Sequence, residues 1–158
     1  MSVNFTKQDE AFMSLALEEA RRAAEEGDVP VGAVLIRNAT QEILSTGRNT
    51  REVMQTALGH AEINAIHDAC NALGAWRLED CTLYVTLEPC PMCAGAILHA
   101  RIPRIVCGAM DPVAGAMGSV WAIHRHPIES KHTSLEVGCL EEACRTILQD
   151  FFKNRREN

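Results

Sequence analysis

The chain predicts an α/β fold on a mixed sheet, and three observations carry this. Two β-branched apolar runs before residue 50 are joined by a short polar turn, as in an antiparallel pair. After residue 60 the pattern alternates helix, strand, helix, strand, which implies parallel pairing with helices covering the sheet. Gly- and Pro-free amphipathic stretches lie near both ends. With 158 residues and no repeat, linker or low-complexity segment, one domain over residues 1–158 is expected. A chain of this length buries roughly 70% of the surface its unfolded form exposes.

The first helix is predicted over residues 7–26, where Phe12, Leu15, Ala16, Glu19, Ala20 and Ala23 recur at helical spacing. Thr6 can cap its start and Gly27 can end it. Residues 31–36, after Pro30, suit a buried strand. Residues 38–42 form a turn, and 43–49 return as the antiparallel partner. Residues 61–73 read as a helix, 82–86 as a strand, 91–99 as a helix and 104–107 as a strand. A last helix runs from 140 to about 153. The Gly-, His- and Pro-rich stretch 111–131 has no clear assignment.

Composition is globular, at 47% hydrophobic and 23% charged. The first ten residues carry neither a basic nor an apolar leader segment, and no apolar run approaches the roughly 18 residues of a membrane span. A cytoplasmic protein without membrane contact is expected. Seven cysteines, scattered except for Cys90 and Cys93, do not read as a disulfide framework. The net charge of −6 opposes nucleic-acid binding on average. Arg48/Arg51, Arg101/Arg104, His124-Arg125-His126 and Lys153/Arg155/Arg156 are nevertheless locally basic, either as solvated surface or as contact patches.

The chemistry concentrates in His60-Ala61-Glu62 and Pro89-Cys90-Pro91-Met92-Cys93. Cys90 and Cys93 share a face at a predicted helix start, where the positive end of the macrodipole favours thiolate. Pro91 suits the first helical turn because its missing N–H costs nothing there. His60 supplies a third ligand, leaving tetrahedral zinc one position open, as in catalytic rather than structural sites. Two thiolates and a neutral imidazole formally neutralise the ion, so its water needs a nearby base, and Glu62 is placed to be that base. Two plainer readings compete. Cys90 and Cys93 could be a redox pair, or the zinc could be structural, with His67, Cys70, Cys81, His99 or Cys107 as a fourth ligand.

His-x-Glu followed by Pro-Cys-x-x-Cys resembles the mark of zinc-dependent nucleobase deaminases. From Phe12 to Arg156 the chain closely resembles the bacterial tRNA-specific adenosine deaminases. The motifs are Val29-Pro30-Val31-Gly32-Ala33-Val34, His60-Ala61-Glu62, Trp76-Arg77-Leu78, the block 82–97 around Cys90 and Cys93, Gly108-Ala109-Met110-Asp111 leading into Gly115-Ala116-Met117-Gly118-Ser119, and terminal Phe151-Phe152 with Arg155 and Arg156. The resemblance implies a cytidine deaminase-like three-layer α/β/α sandwich, its central mixed sheet of about five strands flanked by helices.

It also implies hydrolytic deamination of the wobble adenosine of a tRNA anticodon loop to inosine by a zinc-bound hydroxide. One Zn²⁺ per subunit would be held by His60, Cys90 and Cys93, with Glu62 as proton shuttle. Asn49 would contact the purine, and Ala61 would offer its backbone to the base edge. Asp111 would face the RNA backbone, within reach of a ribose 2′-OH. Phe151, Phe152 and Arg155 would touch the anticodon loop, and the enzyme would be a homodimer. Two departures stand out: Gly59 precedes His60 in place of threonine or alanine, and the turn 38–42 is about two residues longer than is usual in the family. Bacterial guanine deaminases share the zinc motif, so a free guanine or cytosine deaminase is the alternative enzyme. A non-catalytic RNA-presenting subunit would not need Glu62.

Overall fold

The computed structural model describes residues 3–126 and 133–157. Its five strands form one sheet, in which, counted in chain order, the second lies at one edge beside the first, followed by the third, fourth and fifth. Helix α1 covers Lys7–Glu25 and opens with a capping box in which Thr6 and Asp9 exchange side chain-to-backbone hydrogen bonds. The chain leaves it through Gly27, whose φ of +87° favours glycine. Strands β1 (Gly32–Arg37) and β2 (Ile43–Arg48) form the expected antiparallel pair. Their register slips between Leu35 and Ile36, next to the long turn, where Gln41 takes a positive φ of 61°.

The remaining elements are α2 (Arg51–Met54), α3 (Ala61–Leu73), β3 (Cys81–Leu87), α4 (Pro91–His99), β4 (Arg104–Ala109), β5 (Ser134–Val137) and α5 (Glu141–Glu157). The short α2 and a 3₁₀ turn at Ile123–Arg125 were not expected, strand β5 supplies the fifth strand that the resemblance implied but the sequence did not locate, and α5 runs past the predicted end near 153. Of the unassigned stretch 111–131, residues 127–131 lie outside the described residues.

β1 pairs antiparallel with β3, whereas β3–β4 and β4–β5 are parallel. The sheet is therefore mixed, and its side chains alternate between two cores. Ala33, Leu35, Leu83, Val85, Ile105 and Cys107 point to one face, packed with Ala61, Ala65 and Ala69 of α3 and Ala94 and Ile97 of α4. Val34, Ile36, Tyr84 and Val106 point to the other, against Phe12, Met13, Ala16 and Leu17 of α1 and Cys144 of α5. A sheet covered on both faces gives the predicted sandwich. Small residues on α3 let it lie close to β2: a Cβ on Gly47 would fall 2.3 Å from the Ala61 carbonyl oxygen.

This topology positions the site. Strands β2, β3 and β4 all run in one direction, and their C-terminal ends lead into His60, Cys90 and Asp111 respectively. β1 runs oppositely, so Val29 and Val31, which precede it, arrive at the same edge. The crevice outside the carboxyl ends of strands is where α/β sheets bind ligands.

Candidate metal centre

His60 and Cys90 are the N-cap residues of α3 and α4. Their side chains turn towards each other. His60 Nδ1 lies 3.5 Å from Cys90 Sγ and 3.4 Å from Cys93 Sγ, and the three donor atoms lie within 4.8 Å of one another. Tetrahedral zinc with bonds of roughly 2.0–2.3 Å separates its ligand atoms by about 3.5–3.8 Å. The donor set thus fits zinc in both chemistry and spacing.

Among the described residues no fourth side chain joins this group. That argues against the structural-zinc reading. The imidazole held between both sulfurs is likewise no requirement of a redox pair, and all seven cysteines are free of disulfides. The Cys93 thiol, with help from His60, pulls Cys90 down from 9.0 to about 4, towards the thiolate that ligates metal.

Glu62, on the first turn of α3, is 4% exposed, and its carboxyl interacts with Cys93. Burial pushes its pKa up from 4.5 to about 7. A carboxyl in that range suits proton transfer at neutral pH.

His60, Glu62, Cys90, Asn49 and Asp111 line one cavity of about 200 Å³, together with Arg51 and Glu88. Asn49 Oδ1 accepts the Ala61 N–H at 2.9 Å, so these two substrate-binding candidates are bonded to each other and the amide nitrogen of Asn49 is what remains to offer. Asp111 Oδ1 accepts from the Val113 and Ala114 N–H groups at 3.0 and 3.2 Å, a turn that leaves its second oxygen for a ligand.

Phe151, Phe152 and Arg155 do not line this cavity; they sit towards the end of α5. The Arg155 guanidinium lies 4.8 Å over the Phe151 ring and donates to the Gly27 carbonyl at 2.8 Å. Phe152 is 44% exposed and lines a neighbouring groove with Met110, which directly precedes Asp111.

The sequence marked Arg51 only as part of a basic patch, and assigned Glu88 no role; both line the cavity. Arg51 follows the Asn49 position by two residues, a nearness that could have flagged it. Glu88 lies two residues before Cys90, and although burial pushes its carboxyl up, bonds from Ser119, Asp111 and Met117 hold it below the ordinary 4.5. One arginine in each of two basic patches is paired internally: Arg48 with Glu19 and Glu26, and Arg104 with Asp9 and Glu136.

Comparison with known proteins fits this geometry. The pattern of the cytidine and deoxycytidylate deaminase zinc-binding region matches residues 6–109. A tRNA-specific adenosine deaminase of Bacillus subtilis (strain 168) is 45% identical over 150 residues, covering 95% of this chain and 92% of that protein. A solved structure from work on A-to-I editing by tRNA:A34 deaminases at the wobble position of transfer RNA superposes with a TM-score of 0.83 at 42% identity. It covers 87% of this chain and 99% of that one. A guanine deaminase from Bacillus subtilis gives a TM-score of 0.63 at 31% identity, covering 93% of each chain.

Proposed function

Because the chain belongs to the family of cytidine and deoxycytidylate deaminases with a zinc-binding region, we propose that it hydrolyses the 6-amino group of the wobble adenosine in a tRNA anticodon loop, leaving inosine and ammonia. One observation carries the reaction class: a buried carboxyl, Glu62, stands in the cavity beside three zinc-competent donors and is not one of that donor group. The relatives named as tRNA adenosine deaminases carry the substrate.

His60, Cys90 and Cys93 hold one zinc per subunit. When bound, zinc would supply a Lewis acid that makes a water easier to deprotonate, with Glu62 as the base that completes the task. Glu62 takes one proton from the attacking water and gives it to ring N1, then takes the second from the new C6 hydroxyl and gives it to the amine, which leaves as ammonia as the C6 carbonyl forms. Asn49 orients the purine through its amide nitrogen. Asp111 meets the ribose side, and Ala61, whose N–H holds Asn49, offers its backbone to the base edge. Phe151, Phe152 and Arg155 engage the anticodon loop by stacking and charge. A flipped base from a single-stranded loop reaches such a pocket without the cost of unpairing a duplex.

The working unit is a cytoplasmic homodimer of single-domain chains. Exposed Val53, Met54 and Leu58 around α2 support a surface that a second copy covers. No described helix is long and apolar enough to cross a membrane.

The test follows ammonia release from an anticodon stem-loop with wobble adenosine, in parallel with free guanine, cytosine and adenine. Turnover of the stem-loop is expected, and turnover of a free base alone would refute the substrate. In the same assay Glu62→Ala should keep its zinc and lose roughly 10²-fold or more in rate. Near-normal activity would remove Glu62 from the chemistry.

A further inference from the structure

The proposed reaction makes no use of Glu88, yet this carboxylate is only 2% exposed and lines the cavity. Buried carboxylates are costly unless paired. Among the described residues no cation forms an ion pair with Glu88; its partners all come from one loop. Oε1 accepts the Asp111 N–H at 2.9 Å and the Ser119 hydroxyl at 2.5 Å. Oε2 accepts the Met117 and Ser119 N–H groups, both at 3.0 Å. The wrapping is tight, since a Cβ on Gly115 would fall 2.3 Å from the Glu88 carboxyl carbon. Neighbouring backbone bonds follow the same path, with Ala116 N–H donating to the Pro89 carbonyl and Glu88 N–H to that of Ala109.

Two walls of the cavity therefore meet at one side chain. Glu88 lies two residues before Cys90 on the metal-binding wall, and it grips the loop that carries Asp111 and Ala114 on the facing wall. We propose that Glu88 is a positioning residue that, by clamping the 111–119 loop, sets the distance between the metal centre and Asp111 and so shapes the seat of the nucleotide. The substrate part of this inference rests on the function proposed above.

A carboxylate suits four donors, having two oxygens and no proton to offer. Glutamine presents one oxygen and sets an NH₂ against N–H groups, so Glu88→Gln breaks at least one side of the clamp without changing its size. Expected are wild-type zinc content and far-UV circular dichroism, with amide hydrogen exchange over residues 111–119 faster by at least about tenfold. KM for the stem-loop should rise by about tenfold or more, and kcat should fall by less. Because Glu88 acts through Asp111, adding Glu88→Gln to Asp111→Ala should raise KM by less than about twofold further. Ser119→Ala, which removes only the hydroxyl donor, should shift KM the same way by a smaller factor. It keeps the idea testable if Glu88→Gln does not fold.

Unchanged exchange and KM, a fall in kcat with wild-type KM, full additivity with Asp111→Ala, or loss of zinc would each overturn the proposal. Exchange and zinc content need no substrate. A wild-type protein inactive on the stem-loop would therefore refute the assigned reaction while the exchange measurement still judges Glu88.

Discussion

His60 faces two demands at once. As N-cap of α3 it occupies the position where a side-chain acceptor usually satisfies the helix's first N–H groups, yet its imidazole is turned to the two sulfurs. Asn49, arriving at the end of β2, accepts the Ala61 N–H in its place. This separates two roles of one residue. Asn49→Ala should cost about 1 kcal/mol, the usual value of a lost cap. Asn49→Asp keeps the acceptor and adds a favourable charge at the helix N-terminus, so it should retain that stability. Having lost the amide donor, it should still raise KM at least as much as Asn49→Ala. Urea midpoints and steady-state kinetics on both variants decide this; equal KM values for Asn49→Asp and wild type would remove the amide from substrate binding. The ligands themselves were legible from sequence because cysteine and histidine in that spacing have few other uses. The cap was not, because it lies on a different element from the helix it serves. Glu88 was equally hidden, since three of its four donors are N–H or hydroxyl groups of Met117 and Ser119, more than twenty-five residues downstream.

Helices α1 and α3 cross the sheet where it has no side chains to meet them. A Cβ on Gly32 would sit 1.8 Å from the Ala16 carbonyl oxygen, and one on Gly47 would sit 2.3 Å from that of Ala61. Neither contact is a flexible side-chain end, so an added methyl must push helix from strand, at roughly 1–3 kcal/mol or more. The two substitutions should part company at the metal. Gly47→Ala displaces the α3 N-terminus, which carries His60 and Glu62, whereas Gly32→Ala displaces α1, which carries no donor of the centre. Both should unfold at lower urea, but only Gly47→Ala should also weaken zinc retention against a chelator; equal retention would show that α3 moves without its first turn. At this scale the sequence was readable wherever Gly, Pro or a cap punctuated a periodic run, as for α1, α3 and α4. It was not readable for β5, whose four residues become a strand only by pairing with β4 from Arg104 to Cys107. Nor was it for α2, which buries none of its residues and so leaves no apolar periodicity.

Across the whole molecule, charge is spent on tying layers together more than on display. Arg104 opens β4, at the opposite end of that strand from Asp111, and its guanidinium holds Asp9 of α1 at 3.1 Å and Glu136 of β5 at 2.6 Å. Tyr84 of β3 donates to the same Asp9 at 2.7 Å. Of the basic patch inferred from sequence at Arg101/Arg104, Arg104 is thus part of an internal clasp, and among the described residues lining the cavity of this chain of net charge −6 Arg51 is the one arginine. Spacing along the chain cannot show this, because the partners of Arg104 come from the far N-terminus and from an unrecognised strand. The clasp has a pH signature. Burial alone would push the Asp9 carboxyl up, but the bonds from Arg104, Tyr84 and Thr6 outweigh it and lower its pKa from 3.8 to about 2. A carboxylate depressed on folding stabilises the native state above its unfolded pKa, and that contribution drains away as pH falls through the folded value. The side chain is 7% exposed, so solvent screening removes little of it. The shift corresponds to about 2 kcal/mol, present at pH 5 and above and lost between about pH 4 and pH 2. Asp9→Asn has no such carboxylate to titrate. The stability gap between wild type and Asp9→Asn, read from urea unfolding at stepped pH, should therefore be constant from pH 7 to about 5 and close by about 2 kcal/mol on acidification. A gap that persists unchanged at pH 2.5 would mean that Asp9 holds the layers together by shape and neutral hydrogen bonds, and that its charge contributes nothing to the clasp.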